Sequence, residues 1–193
     1  LQEGRSDLAI PLFEEVLASS VRVLGADHPN TLASRSNLAT AYESVGRLGE
    51  AIPLFEGVLA DSLRVLGSDH PGTLTSRNNL AGAYESAGRI GKAIPLLEGV
   101  LADRLRVLGP DHPDTLASRS NLAGAYYAAG RLGEAIPLLE GVLADRLRVL
   151  GPDHPDTLAS RSNLAGAYYA AGRLGEAIPL LEGVLADRLR VLG

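Results

Sequence analysis

The chain has 193 residues, a formal net charge of −5 and no cysteine. Acids and arginines are interspersed, so no basic stripe could follow a phosphate backbone, and nucleic acid is not an expected partner. Without cysteine there is no disulfide framework, thiolate zinc site or cysteine nucleophile. Charged residues or glycine interrupt every apolar run before the ~20 residues that a membrane helix needs. We therefore expect a soluble protein that does not bind a membrane, with the cytoplasm as its default location.

An Asp-His-Pro sequence recurs at a constant step of 42 residues, beginning at Asp27, Asp69, Asp111 and Asp153. The segment 93–151 recurs without change at 135–193, which indicates recent duplication of one unit. A fixed period of this length is typical of repeat architectures. It predicts one array over the whole chain, with a partial leading repeat and four complete repeats. Their predicted bounds are 1–25, 26–67, 68–109, 110–151 and 152–193.

The elements of each repeat follow from its apolar periodicity. The leading repeat contains only a long helix, near Arg5–Leu24. In the third copy, a first helix (helix A) is predicted over Thr115–Ala129, and Gly130 provides a stop where a positive φ is easily adopted. A second helix (helix B) is predicted from Arg131 to Leu150, where apolar residues keep the 3.6-residue period for about five turns. The pattern predicts nine helices, one lone helix B and four A/B pairs.

Proline and glycine mark the ends of these helices. Gly151, Pro152 and Pro155 end one helix B and precede the next helix A, which Asp153 or Asp156 could cap. A proline also lies about six residues into each complete predicted helix B. Because proline removes an i to i−4 hydrogen bond, these helices should kink there or begin later, with proline in the first turn. The prolines are Pro53, Pro95, Pro137 and Pro179, and the later starting points are Glu50, Lys92, Glu134 and Glu176.

One helical hairpin cannot bury its apolar stripe alone, so neighbouring repeats must stack into an all-α solenoid. The run Asn121–Tyr126, followed by Gly130 and Glu134-Ala135, resembles the tetratricopeptide (TPR) signature of Leu, small residue, Tyr, Gly and Ala. The 42-residue period and the Leu-Gly-Pro-Asp-His-Pro-Asp-Thr-Leu linker resemble more specifically the kinesin-light-chain type of repeat. The resemblance covers essentially the whole chain. It implies a right-handed α-solenoid of TPR-like helix-turn-helix repeats, whose A helices line a concave groove that binds peptides or partner domains.

The asparagines of helix A stand where peptide-binding members of the family often hydrogen-bond a ligand backbone. Asn121 shares a helical face with the small residues Ala117, Gly124 and Ala128, on which a groove could form. Alternatively, each amide bonds a neighbouring helix or linker. Tyrosine replaces Glu43 and Glu85 in the later copies, either as a binding feature or as drift during duplication. The candidate partner-binding residues are Asn37, Asn79, Asn121, Asn163, Ser120, Ser162, Tyr127 and Tyr169.

Two further sets of residues, one of histidines and one of arginines, recur once in each repeat, and we call each set a ladder. Each ladder has a structural and a functional interpretation. A metal needs three or four close ligands, whereas equivalent histidines of stacked repeats lie roughly 10 Å apart, so hydrogen bonding in the linker is favoured over a metal site. The arginines of helix A are expected to pair with acidic residues near a linker, with a phosphate or carboxylate clamp as the alternative. The two ladders are His28, His70, His112, His154 and Arg35, Arg77, Arg119, Arg161.

No set of nucleophile, base and acid is present, because serine, threonine and histidine all occupy repeated positions. We therefore expect no enzyme activity, cofactor or metal. The leading hypothesis is a protein-interaction scaffold that belongs to a longer array. The alternative is a structural spacer or a self-assembling rod without a specific ligand, because nearly perfect repeats suit both functions. Both ends of the array present B helices, and Leu185 and Leu189 match the interior copies. Self-association through the terminal helices is therefore expected at high concentration.

Overall fold

The computed structural model describes the backbone of residues 3–192 and the side chains of residues 9–186 and of Leu189. The outermost ends of the first and last expected repeats, Leu1, Gln2 and Gly193, lie outside the described residues. The part of the chain that is described contains nine α-helices and no strand. None of these helices is both long and apolar enough to cross a membrane.

The chain divides into two compact units, residues 1–96 and 97–193. In the first unit α1 packs on α2, α2 on α3 and α3 on α4; in the second, α6 packs on α7, α7 on α8 and α8 on α9. The helix that contributes residues to both units is α5. The bounds are α1 (Glu3–Leu24), α2 (Pro29–Ser44), α3 (Leu48–Leu66), α4 (Pro71–Ser86), α5 (Ile90–Leu108), α6 (Pro113–Ala128), α7 (Leu132–Leu150), α8 (Pro155–Ala170) and α9 (Leu174–Leu192).

The expected alternation of a short and a long helix is confirmed. The A helices are α2, α4, α6 and α8, with 16 residues each, and α3, α5, α7 and α9 are B helices of 19 residues. The lone leading helix, α1, is also a B helix. Each A helix starts two residues earlier than expected, at the proline of Asp-His-Pro, which suits a first helical position because its missing N–H would have no partner there.

The A helices end as expected at a glycine with positive φ. Gly130 has a φ of 73°, and the amide of Arg131 donates to the carbonyl oxygen of Tyr126 at 2.8 Å. This bond satisfies one of the carbonyl groups that the end of a helix leaves open, and glycine adopts the required φ without a Cβ penalty. The turn is therefore tight enough for helix B to begin at Leu132.

Of the two alternatives expected at the prolines, a kink or a later start, the later start near Glu50 and its equivalents is wrong. The helix that contains Pro53 begins at Leu48, so that proline is the sixth residue and not part of the first turn. The carbonyl group that Pro53 leaves without an amide partner belongs to Gly49, which is exposed. Water can bond that oxygen, which makes the proline tolerable beyond the first turn.

The core of each unit combines alanines of the A helices with large side chains of the B helices. Ala39 in α2 and Ala123 in α6 are fully buried, and Phe55 and Val142 in the B helices are almost fully buried. Small residues on one helix allow close approach to the larger residues of the next, as in ridges-into-grooves packing. This packing fixes the orientation of each A helix and therefore the face that it leaves open.

Candidate functional site

Histidine, and not the expected aspartate, caps the A helices. The side chain of His112 accepts a hydrogen bond at Nδ1 from the backbone amide of Asp114 at 3.2 Å, and His154 bonds Asp156 in the same way. Because Nδ1 is the acceptor, a neutral ring carries its proton on Nε2. The linker interpretation of the histidines therefore fits the geometry, and no group of three or more His, Asp or Glu among the described residues could hold a metal ion.

Two arginines of the A helices, Arg35 and Arg119, are engaged by carboxylates of the B helices. Nη1 of Arg35 lies 2.6 Å from Oδ2 of Asp61, which also accepts from Arg64 at 3.0 Å. Arg64 in turn holds Asp27 in the linker, at 2.5 Å. In the second unit Arg119, Asp145, Arg148 and Asp111 repeat this network. These two A-helix arginines pair with acidic residues, as expected. The acidic partner lies on helix B, however, and a second arginine connects it to the aspartate of the linker.

These ion pairs favour the charged form of the aspartates. The hydrogen bond from Arg64 lowers the pKa of Asp61, and the bond from Arg35 acts in the same direction. The pKa of Asp27 is lowered chiefly by its hydrogen bond to Arg64. A guanidinium group that already binds a carboxylate is a poor starting point for a phosphate clamp, so the structural role of this ladder is the better supported one.

A cleft of about 330 Å³ lies on the A helices of the second unit, between α6 and α8. A side chain added at Gly124 or Gly166 would meet no atom within 4 Å, so the glycines leave this space open. The floor includes Leu139 of α7, and hydroxyl and amide groups stand around it. Four of the eight candidate residues line the cleft: Ser120, Tyr127, Ser162 and Asn163.

The first unit has a comparable cleft of about 300 Å³ between α2, the end of α3 and the start of α4. Two candidate residues, Asn37 and Asn79, contribute to its wall, together with Ser36 and His70. Asn37 also lines a second cavity of about 440 Å³ against α1. Each unit therefore offers open space on its own A helices, next to amide and hydroxyl groups.

The four candidate asparagines differ in their hydrogen-bond partners. The amide group of Asn79 donates to the hydroxyl of Ser36 on the preceding A helix at 3.2 Å, which is the bond between neighbouring helices considered as the alternative. Asn121 is exposed and also has a polar partner. Asn37 and Asn163 are exposed and make no side-chain hydrogen bond to another described residue. Their donor and acceptor groups are available to a ligand.

The two candidate tyrosines differ in position. Tyr127 is 45% exposed and forms part of the cleft wall, whereas Tyr169 is 67% exposed and lies outside that wall. In the first unit the same repeat position holds Glu43, whose carboxylate accepts from the hydroxyl of Ser86 at 2.8 Å. The replacement therefore exchanges an acidic group engaged with the next A helix for an exposed aromatic surface.

Sequence reasoning missed a difference between the two units at one repeat position. Ser62 of α3 lines the cleft of the first unit, and its hydroxyl lies 3.3 Å from that of Ser76. At the same position in α7 stands Arg146, which is 8% exposed and donates to the hydroxyl of Ser160 at 2.7 Å. The later copies thus place a buried cation where the earlier copy has a small neutral side chain. Aligning the copies would have revealed the replacement of serine by arginine, but not that the arginine side chain is buried.

A family model described as tetratricopeptide repeat matches residues 1–60, 35–102, 86–147 and 115–188. The comparison with curated proteins found no match. Among solved structures, a Podosopora anserina protein assigned as a kinesin light chain with nearly identical TPR-like repeats is 42% identical, with a TM-score of 0.85 over 98% of this chain and 90% of that one. The predicted class, an α-solenoid of TPR-like repeats of the kinesin-light-chain type, is confirmed.

Two more distant structures share the fold. BtubC (BKLC) from P. vanneervenii has a TM-score of 0.85 and 24% identity, covering 100% of this chain and 76% of that one. A Rap protein complexed with Competence and Sporulation Factor has a TM-score of 0.76 and 13% identity, covering 97% of this chain and 50% of that one.

Proposed function

Since this chain belongs to the tetratricopeptide repeat family, whose repeats generally mediate protein–protein interactions, we propose that it binds an extended peptide or a partner domain through the open faces of its A helices. The cleft between α6 and α8 carries this proposal, because it brings four of the candidate residues around one space of about 330 Å³. Ligand sites are typically concave and mainly apolar, with a few polar groups that fix orientation. The proposed role is that of a non-enzymatic scaffold, and a cytoplasmic location remains part of the proposal.

The residues of the cleft suit a peptide in an extended conformation. Asn163 offers both a donor and an acceptor, which is what a peptide bond requires of a partner. Tyr127 adds a broad aromatic surface with only two side-chain torsions to order, and such residues are enriched at binding hot spots. We propose that Ser120 and Ser162 complete the polar wall. Asn37, Asn79, Asn121 and Tyr169 are proposed as further contacts outside this cleft.

The test fills the cleft with a residue that the fold already accepts. Thr40 in α2 occupies the repeat position of Gly124 and Gly166, so Gly124→Thr with Gly166→Thr should preserve the helices while removing the open space. Peptides would be selected from a random displayed library on the unmodified chain. Their affinities would then be measured on the filled variant and on Gly133→Ala, a matched change on α7 at another glycine whose Cβ would meet nothing.

We expect the selected peptides to lose at least about tenfold in affinity on the filled variant and to bind Gly133→Ala normally. Equal affinity for all three proteins would rule out the cleft as the binding site. The selection would also be repeated with a library of displayed folded domains. If neither library yields a binder above background, the scaffold proposal itself is contradicted.

The alternative proposal is self-association through the terminal helices. The observation that favours it is the exposure of large apolar residues on α9, where Leu185 is 61% and Leu189 is 65% exposed. Exposed apolar patches of this kind mark interaction surfaces or association between copies. The two proposals use different faces of the molecule and can be tested separately.

A further inference from the structure

In three of the four complete repeats, the arginine that precedes helix B is held by two neighbours. It pairs with a glutamate three residues later, and its guanidinium group lies over the ring of a tyrosine in the preceding A helix. Nη2 of Arg47 is 2.8 Å from Oε1 of Glu50, and its guanidinium carbon is 4.5 Å from the ring centre of Tyr42. Arg131 and Arg173 are held in the same way. A carboxylate therefore balances the arginine in each of these repeats.

The second complete repeat departs from this arrangement, because Lys92 stands where the others have glutamate. Its Nζ, and not the arginine, lies over the tyrosine ring, 5.3 Å from the centre of Tyr84. The side chain of Arg89 makes no hydrogen bond, ion pair or ring contact with another residue that the structure describes. Both cations are exposed, and residues three apart at the start of a helix are neighbours. This position favours negative charge, yet it holds two positive charges without an anion.

Arg89 also lines a cavity of about 230 Å³ in the first unit, between the start of α3 and the turn from α4 to α5. The wall combines the aliphatic groups of Ile52 and Pro53 with the backbone of Gly49. Because Pro53 has no N–H, the carbonyl oxygen of Gly49 lacks its helical partner and can accept a hydrogen bond from an incoming group. None of the residues of this wall lines the clefts on the A helices.

Glu56, another residue of the wall, limits the charge of the occupant. Its Oε1 accepts a hydrogen bond from the hydroxyl of Tyr84 at 2.6 Å, and it forms no ion pair with Arg89. A carboxylate in the wall repels a doubly charged phosphate group more strongly than a singly charged carboxylate. The side chain of a glutamate suits both parts of the cavity, because its methylene groups can contact Ile52 and Pro53 while its carboxylate reaches the cations.

We propose that this cavity is a docking site for a glutamate-containing segment of a partner protein. The glutamate carboxylate pairs with Arg89 and Lys92, and a backbone N–H of the segment bonds the carbonyl oxygen of Gly49. A guanidinium group binds a carboxylate through two parallel hydrogen bonds, which gives the contact direction as well as charge. The cleft between α6 and α8, in contrast, is lined by neutral side chains. The docking site therefore does not depend on ligand binding by the A helices.

The test closes the site with a residue that the fold already accepts. Lys92→Glu installs the residue that the other three complete repeats hold, so Arg89 should pair with it and move over Tyr84. Arg89→Ala is a second variant, which removes the guanidinium group without adding a carboxylate. Arg22→Glu, the same change of charge at an exposed residue of α1, is the matched control.

The probe is a random library of short displayed peptides, depleted on Lys92→Glu and then selected on the unmodified chain. We expect the recovered peptides to share a glutamate and to bind at least about tenfold more weakly to Lys92→Glu, and about fivefold more weakly to Arg89→Ala. Arg22→Glu should bind them normally. The variant Gly124→Thr with Gly166→Thr should also bind them normally, which separates this site from the cleft between α6 and α8. Replacing the shared glutamate of the peptide by glutamine should weaken binding to the unmodified chain and have no further effect on Lys92→Glu.

The proposal is overturned if the depleted library yields no peptide that binds the unmodified chain. It is also overturned if Arg22→Glu weakens binding as much as Lys92→Glu, because net charge and not the cavity would then be responsible. Inorganic phosphate is the competing occupant. If it displaces the peptides at an equal concentration, the site takes a free anion and the proposal is wrong.

Discussion

The hydroxyl group of Tyr168 in α8 donates a hydrogen bond of 2.6 Å to Oε1 of Glu140 in α7. The guanidinium carbon of Arg173, which follows α8, lies 4.3 Å from the centre of the same ring. One tyrosine thus connects a B helix, the next A helix and the turn that follows. The same bond joins Tyr126 to Glu98 in the second unit, and the first unit repeats it from Tyr42 to Glu14 and from Tyr84 to Glu56.

These bonds predict a loss of stability at alkaline pH. The hydrogen bond to Glu98 raises the pKa of Tyr126 to about 12, and burial, then the bond to Glu140, raises that of Tyr168 to about 12. An unfolded tyrosine titrates near pH 10, so this stabilisation is complete below about pH 10 and is lost as the pH rises towards 12. Urea unfolding from neutral pH upwards should show the fall in that range. Tyr126→Phe with Tyr168→Phe should make the fall smaller, and an unchanged profile would contradict the assignment.

The histidine caps predict that stability depends on whether the residue at position 112 can accept a hydrogen bond. His112→Ala removes the acceptor for the amide of Asp114 and should lower the free energy of unfolding by about 1 kcal/mol. His112→Asp restores an oxygen acceptor at the same position and should recover most of the loss. Chemical denaturation of the three proteins decides this. If the aspartate variant is as unstable as the alanine variant, the side chain contributes something other than a cap.

Gly141 in α7 predicts a stabilising change. A Cβ at this position would lie 3.9 Å from Nη1 of Arg119, an ordinary contact, so Gly141→Ala should raise the free energy of unfolding by about 1 kcal/mol through helix propensity. Gly130→Ala is the opposite control, because its φ of 73° is strained for alanine. A loss of stability in Gly141→Ala would show that the arginine network needs the glycine.

The difference between Ser62 and Arg146 predicts that the first unit tolerates the arginine of the second unit at the equivalent position. Ser62→Arg introduces the residue that α7 holds at the same place, and Ser76 provides the hydroxyl acceptor that Ser160 provides for Arg146. The cleft of about 300 Å³ gives the new side chain room. We expect a change in stability below about 1 kcal/mol and loss of most of the cleft in a crystal structure. Unfolding of the variant would show that the surroundings of Arg146 are not transferable.

The exposed side chains of Leu185 and Leu189 on α9 predict association at high protein concentration. Light scattering from micromolar to millimolar protein should show a rising mass, because association removes exposed leucine side chains from water. Leu185→Glu with Leu189→Glu should remain monomeric over the same range. A parent chain that is strictly monomeric throughout would refute association through this helix.

The 42-residue period, the helix pairs and the glycine turns could be predicted from the sequence, because each depends on local chemistry. A positive φ at Gly130 and an apolar stripe on helix B follow from neighbouring residues, and repetition multiplies the evidence. The general face of the candidate site could also be anticipated, because Ser120, Gly124 and Tyr127 lie within two turns of one helix.

The tertiary structure decided which polar groups find partners. Asp156 was a reasonable cap by residue type, but the geometry of the linker gives that role to the ring of His154. Asn79 and Asn163 occupy the same repeat position, yet the first bonds Ser36 on a neighbouring helix while the second lines a cleft. Likewise, identical sequences in α7 and α9 are buried in one place and exposed in the other. Burial and hydrogen bonding depend on which helix lies opposite, and a periodic sequence carries no information about an individual copy's neighbours.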